Sequence, residues 1–260
     1  MAGALIFDVE TTDRRNGEII EAAWLRIAGM FDEVEDPSDA IPERPFQIED
    51  RSVDRYKPST PSTFGAIAVH HILPEELEGW PPSASFRLPA NVHYLIGHSI
   101  DFDWEAAGCP AVKRICTNAM AHHVWPDATG YSQVALIYML LGPTPATRDM
   151  VRQAHGALAD VHLCLTLLQA ILALRPEITA WAQLWAFSEE CRIPRTCPMK
   201  KYEGVLLDDL DDGFIGWCLR QDWLDPYFRI GLNRVLEKRY PAHRFDEDEA
   251  FESDEESTAF

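Results

Sequence analysis

An α/β domain is expected over residues 1–175, then a helix and linker over 176–194, a small, mostly helical module over 195–240 and an acidic tail over 241–260. Three observations predict this organisation. Short apolar runs bounded by polar turns recur through the first segment and suit buried strands. Longer stretches with apolar residues at helical spacing lie between and after them. Beyond Pro194 the composition shifts, first to a Trp-, Tyr- and Leu-rich stretch. It then shifts to a tail with eight acidic and no basic residues between Phe245 and Phe260.

The elements follow in order. ALIFDVE, from Ala4, reads as a buried strand, and EIIEAAWLRI as a second, joined by a DRRNG turn into an antiparallel pair. Residues 32–64, rich in Pro, Asp, Glu and Ser, read as loop. NVHYLIGH and KRICT are the third and fourth strand candidates. DWEAAG, NAMAHHVW, YSQVALIYMLLG and GALADVHLCLTLLQAILAL read as helices, the last with a long apolar face and Pro176 just past its end. EITAWAQLWAFSEEC is a further helix, leading to the linker.

Composition narrows the function classes. With 47% hydrophobic residues the chain is an ordinary globular sequence. Six cysteines without a CxxC pair suggest neither a disulfide framework nor a zinc site. No run approaches the roughly 20 apolar residues that span a bilayer. The N-terminus lacks the basic start of a secretory signal, so a cytoplasmic location away from membranes is expected. Forty-two acidic and 23 basic residues give a net charge of −19. That argues against a protein that coats nucleic acid by neutralising phosphates. An enzyme that grips a nucleic-acid end through metal ions remains compatible.

Asp8 and Glu10, at i and i+2 on the first strand, share one face. Two carboxylates on an apolar strand are costly unless a cation joins them, and a hard divalent ion is the usual partner. Alternatively the strand ends there and both acids are solvated. In GHSIDFD, an acid just past a buried strand sits where α/β folds present chemistry. Either Asp101 or Asp103 can instead cap the following helix. Asp160 opens the long apolar helix, as a metal carboxylate or as a favourable dipole charge. His155, five residues earlier, is then a base beside it or incidental.

The order of these signals carries more than any one of them. Asp-x-Glu, GHxxxFD and HxAxxD together resemble the DEDDh (DnaQ-like) 3′→5′ exonuclease superfamily. FDVETT, AIAVHHI, LIGHSIDFD, ICTNAMAHHVWP with YSQVAL, and HGALADV resemble segments of the exodeoxyribonuclease X family in matching order. PMKKYEGVLLDDLDDGFIGWCLRQ looks like that family's C-terminal extension. Two departures stand out. Ser99 replaces the Asn common in the second motif, and Lys200-Lys201-Tyr202 replaces Gly-Lys-Tyr.

The resemblance implies a ribonuclease H-like mixed sheet flanked by helices. It implies two Mg²⁺ or Mn²⁺ ions held by Asp8, Glu10, Asp103 and Asp160, with His155 as general base. Thr11, Thr12, His71 and His98 are the implied substrate contacts, and DNA 3′ ends, single-stranded or duplex, the implied partner. Three alternatives stand beside a 3′→5′ exodeoxyribonuclease. They are an exoribonuclease, a non-catalytic DNA-end-binding protein, and an accessory subunit docking a protein partner through the C-terminal module. His122 and His123, adjacent on a helix, point too far apart to share a metal. Trp181 and Trp185, at helical spacing, suit a core.

Overall fold

The computed structural model describes residues 3–28, 47–152 and 154–241. The expected acidic tail, from residue 242 on, lies outside them. The chain divides into two compact units, Met1–Arg192 and Ile193–Phe260.

Strand β1 (Gly3–Thr11) lies at the centre of a five-stranded sheet of order β3-β2-β1-β4-β5. Its ALIF run is buried on both faces, which calls for apolar residues at consecutive positions rather than alternate ones. Strand β2 (Ile19–Ala28) pairs with it antiparallel. Strand β3 (Gln47–Arg55) continues the antiparallel order at one edge. Strand β4 (Val92–Gly97) pairs parallel to β1, and β5 (Lys113–Cys116) parallel to β4.

Strand β3 corrects the loop reading of 32–64 over residues 47–55. Its side chains are nearly all exposed and mostly charged, so no buried face writes an alternating pattern. The ladder to β2 makes it a strand, and an edge rich in charge is protected against stray pairing. Residues 29–46 lie outside the described residues.

Helices of the first unit are α1 (Phe64–His70), α2 (Asp101–Ala106), α3 (Thr117–Val124), α4 (Gln133–Leu141), α5 (Pro145–Val151), α6 (Ala157–Ala173) and α7 (Trp181–Cys191). Helix α6 buries Ala157, Val161, Cys164, Leu165, Leu168 and Ile171 against Ala4, Ile6, Ala23 and Leu25 of the sheet. On the opposite face, Leu5, Phe7 and Val9 meet Leu95, Ile100 and Cys116.

Gly97 ends β4 because a Cβ there would stand 2.7 Å from Ile100 Cδ1 and 3.0 Å from the Phe7 carbonyl oxygen. That close approach turns the chain into α2. Helix α7 packs on β5 and α3, and Ser188 Oγ accepts the Cys116 N–H at 2.8 Å. Trp181 stacks on Tyr94, and Trp185 lies under Lys113. His122 stacks on Tyr131, while His123 packs edge-on to Phe187.

The second unit folds around Cys197, Leu207, Ile215, Cys218, Phe228, Leu232 and Val235. Its helices are α8 (Asp212–Leu219) and α9 (Pro226–Arg239). Asp211 and Asp225 cap them, accepting from the Phe214 and Phe228 N–H groups. The left-handed position after Lys200-Lys201-Tyr202 is Gly204, at φ 82°. Lys200 itself has no positive φ, so the absent glycine imposes no backbone strain there. No helix among the described residues is long and apolar enough to cross a membrane.

Leu168 is fully buried between α6 and the sheet. Leu168→Ala is expected to lower stability by about 2–5 kcal/mol. Urea unfolding checks this through a lower midpoint with an unchanged slope.

Candidate active site

The pleat of β1 sorts its last residues. Val9 joins the apolar cluster, while Asp8 and Glu10 line an open cleft of about 640 Å³. The first turn of α6 brings Asp160 to the same cleft, with His155 from the preceding turn and Asp103 from α2. Carboxylate oxygens of Asp8, Glu10 and Asp160 all lie within 4.8 Å of one another. Residues 150 positions apart in the chain thus form one acidic cluster.

Asp103 is 4% exposed, and its Oδ1 accepts the Val9 N–H at 3.0 Å. It therefore lines the cleft and fastens α2 to the segment of β1 that carries Asp8 and Glu10. Asp101 points to other work. It pairs with Arg114 at 2.5 Å and with Arg192 at 2.6 Å, and is not part of the cleft wall. The capping alternative left open by the sequence falls to neither residue, because no side chain caps the start of α2.

Asp160 Oδ2 accepts the backbone N–H of His155 at 3.0 Å. His155 takes φ 70°, a left-handed conformation uncommon outside glycine, and its side chain is exposed. Ser99 also sits in this region, at φ 69°. Asn enters it more readily than Ser, so the departure at Ser99 falls where the backbone favours Asn.

A residue that the sequence reading missed holds the α6 end of the site. Glu21 on β2 stands opposite Glu10 and is 6% exposed. Its Oε1 accepts the Ala157 N–H at 3.1 Å, satisfying a free donor of the α6 N-terminus. Its Oε2 pairs with Arg55 Nε at 2.9 Å. Glu21 lies in an apolar strand pattern, and only the pairing of β2 with β1 puts it under α6. No local signal marks it.

The remaining predicted contacts divide. Thr11 lines the cleft, and its hydroxyl donates to the Asp13 carbonyl at 2.8 Å. Thr12 is buried outside the cleft wall, its Oγ1 accepting the Glu18 N–H. His98 borders the cleft, but both ring nitrogens are engaged. Nδ1 meets Thr117 Oγ1 at 3.0 Å, and Nε2 meets the Tyr131 carbonyl at 2.8 Å. Burial holds its pKa below the ordinary value. His71 is exposed, lies outside the cleft wall, and ends α1 at φ 57°. The wall residue is its neighbour His70, 5% exposed, whose Nδ1 accepts the Ile72 N–H at 2.9 Å. His70 Nε2 has no hydrogen-bond partner among the described residues. A one-residue difference on a helix turns the ring by about 100°, which no sequence pattern resolves here.

Burial dominates the electrostatics, with mutual repulsion adding to it at Asp8, Glu10 and Asp103. Desolvation, then Asp103 and Asp160, push Asp8 well above the carboxylate range. Desolvation, then Asp160, push Glu10 to about 8. Asp103 rises to about 8 through burial, against the opposing Val9 N–H bond. Asp160 is raised by burial, with the His155 N–H opposing. Oxygen donors at this density match a hard divalent cation such as Mg²⁺ or Mn²⁺, which would relieve the repulsion.

Solved exonucleases share this fold. A structure of Exonuclease X in complex with 5′-overhanging duplex DNA aligns at TM-score 0.51 and 21% identity, covering 71% of this chain and 99% of that one. E. coli Exonuclease I in complex with a dT13 oligonucleotide aligns at TM-score 0.50 and 15% identity. That match covers 68% of this chain and 42% of the other, so this chain spans less than half of that protein's length. No family model matches the sequence, and no curated protein does so. The first unit has the ribonuclease H-like exonuclease fold: a mixed five-stranded sheet flanked by helices.

Two outcomes are expected. A carboxyl whose folded pKa is raised favours the folded state most below its unfolded value, about 4.3 for Glu, and that contribution is lost as pH rises toward the folded value. In EDTA the melting temperature is therefore expected to fall from pH 5 to 8.5, less steeply in Glu10→Gln, and Mn²⁺ at pH 8 is expected to restore it. Differential scanning fluorimetry reads both. Glu21→Ala leaves the Ala157 N–H and Arg55 without their partner. It is expected to cost about 1–3 kcal/mol by chemical denaturation.

Proposed function

We propose that the chain is a metal-dependent 3′→5′ exodeoxyribonuclease that releases nucleoside 5′-monophosphates from DNA 3′ ends. The observation that carries this reading is the convergence of Asp8, Glu10, Asp160, Asp103 and His155 on one open cleft. The fold shared with exonuclease structures supports it.

Asp8, Glu10 and Asp160 are the residues to hold divalent ions, with Asp103 at the second of two sites. Bound there, such ions supply Lewis-acid activation of water and stabilise charge on the phosphate and the leaving oxygen. The rest falls to the chain's own side chains. His155, exposed at the cleft and held beside Asp160 through its backbone N–H, accepts the proton of the attacking water. The water oxygen bonds to phosphorus, the bond to the 3′ oxygen breaks, and that oxygen leaves as a 3′ hydroxyl after taking up a proton.

Val69 and Phe102, both partly exposed, give the cleft an apolar wall against which a terminal base and sugar pack. Thr11 and His70 are the polar residues of the cleft wall beside the terminal nucleotide, in place of His71, although His70 Nε2 is itself buried. His98 positions the end of β4, since its nitrogens are already used.

The test uses 3′- and 5′-labelled single-stranded and duplex DNA, with matched RNA, in Mg²⁺, Mn²⁺ or EDTA. Metal-dependent shortening from the 3′ end of DNA is expected. Asp8→Asn and His155→Ala are each expected to lower the rate about 100-fold or more, with folding intact by circular dichroism. Faster shortening of RNA assigns an exoribonuclease, and absence of cleavage with every metal rejects the catalytic reading.

A further inference from the structure

We infer that the second unit carries a docking face for single-stranded nucleic acid, built on a row of four aromatic rings. Tyr202 and Phe214 have ring centroids 4.3 Å apart. Phe214 and Trp217 follow at 6.0 Å, nearly parallel, and Trp217 and Trp223 at 6.1 Å, near perpendicular. The row leaves the unit's core. Trp217 is 41% exposed and Trp223 63%, whereas Trp181 and Trp185 of the first unit pack against its core. Exposed tryptophans clustered in a line mark an interaction surface, whereas scattered apolar residues do not.

Charge selects the partner. The 49 residues from 193 to 241 hold eight basic and eight acidic residues, in a chain of net charge −19. Their pairing is uneven. Lys238 pairs with Asp208 and Arg239 with Asp212, while Arg229 donates to the Leu219 and Gln221 carbonyls. Three further cations, Lys200, Lys201 and Arg220, neighbour rings of the aromatic row in the sequence. Lys201 sits 4.9 Å over the Tyr202 ring. Lys200 beside it is exposed and has no acidic partner among the described residues. Arg220, exposed as well, follows Trp217 by three residues on the α8 face, and its Nη1 lies over Gly216. Asp211 caps α8 and accepts the Tyr202 hydroxyl.

Exposed rings interleaved with cations fit a polyanion that carries planar groups. Each base of a single strand offers a face to an aromatic ring whatever its sequence, and each phosphate a charge to a cation. A duplex, with its bases stacked inside, has no use for the rings. Choosing a nucleic acid over another polyanion rests on the nuclease reading of the first unit.

The test keeps the two readings apart. Binding of the full chain to fluorescein-labelled oligo(dT) is measured by anisotropy in EDTA, where metal-dependent cleavage is silent. Trp217→Ala and Trp223→Ala are each expected to weaken binding about tenfold. Trp217→Phe is expected to keep most of it. The salt dependence is expected to have a slope of about −2 for three cations and to flatten by about 1.4 in the Lys200→Ala/Lys201→Ala double variant. Hydrolysis of a p-nitrophenyl ester of thymidine 5′-monophosphate, too small to engage two sites, is expected to be unchanged by the tryptophan variants. Loss of ester hydrolysis in Asp8→Asn alone tests the cleft. Unchanged oligo(dT) binding in both folded tryptophan variants overturns the docking face and leaves the row to a protein partner.

Discussion

Like charge held at the end of a buried strand is the constraint on which the first unit turns. Asp8 and Glu10 stand on the central strand, with β2 on one side and β4 on the other, so neither side chain can retreat without disturbing the sheet. Asp160 and Asp103 are pressed toward them by α6 and α2. All four carboxyls shift upward, burial being the largest cause in each and like charge adding to it at Asp8, Glu10 and Asp103. A sheet seldom tolerates such a cluster for stability's sake, since buried like charges oppose folding. The cluster has a physical rationale once cations share it, and the oxygen-only donor set suits hard ions.

The supporting contacts hold the cluster without neutralising it. Asp103 gives one oxygen to the Val9 N–H and so ties α2 to β1 between the two acids. Glu21 receives the N-terminus of α6 and is itself balanced by Arg55 from the edge strand. Strand β3, exposed and lacking a core face, thereby contributes a cation two strands away from the centre of the sheet. The His155 N–H, directed at Asp160 by a left-handed backbone, fixes the last acid against the proposed base. The Val9, His155 and Ala157 contacts each use a backbone N–H, so folding and site assembly draw on the same hydrogen bonds.

The second unit distributes charge differently. Lys238 and Arg239 tie α9 to Asp208 and to Asp212 at the start of α8, while Lys201 lies over the Tyr202 ring.

Much of this was legible in the sequence. The apolar run of β1, the antiparallel start, β4, β5 and the long α6 follow from hydrophobic pattern and turn residues, which are local properties. The acids at 8, 10, 103 and 160 and His155 stood out because motif order records which residues a shared fold brings together. Strand β3 was hidden, since pairing with β2 rather than any buried face makes it a strand. Glu21 was hidden for a related reason: its partners lie 34 and 136 residues away, and local pattern does not see them. The choice of His70 over His71 depended on how one short helix is rotated against the cleft. The sequence by itself determined the elements and the chemical types available to the site. Tertiary structure alone decided which carboxylates face one another, which residue anchors α6 and which aromatics stay exposed, because those depend on long-range packing and on distances between segments remote in the chain.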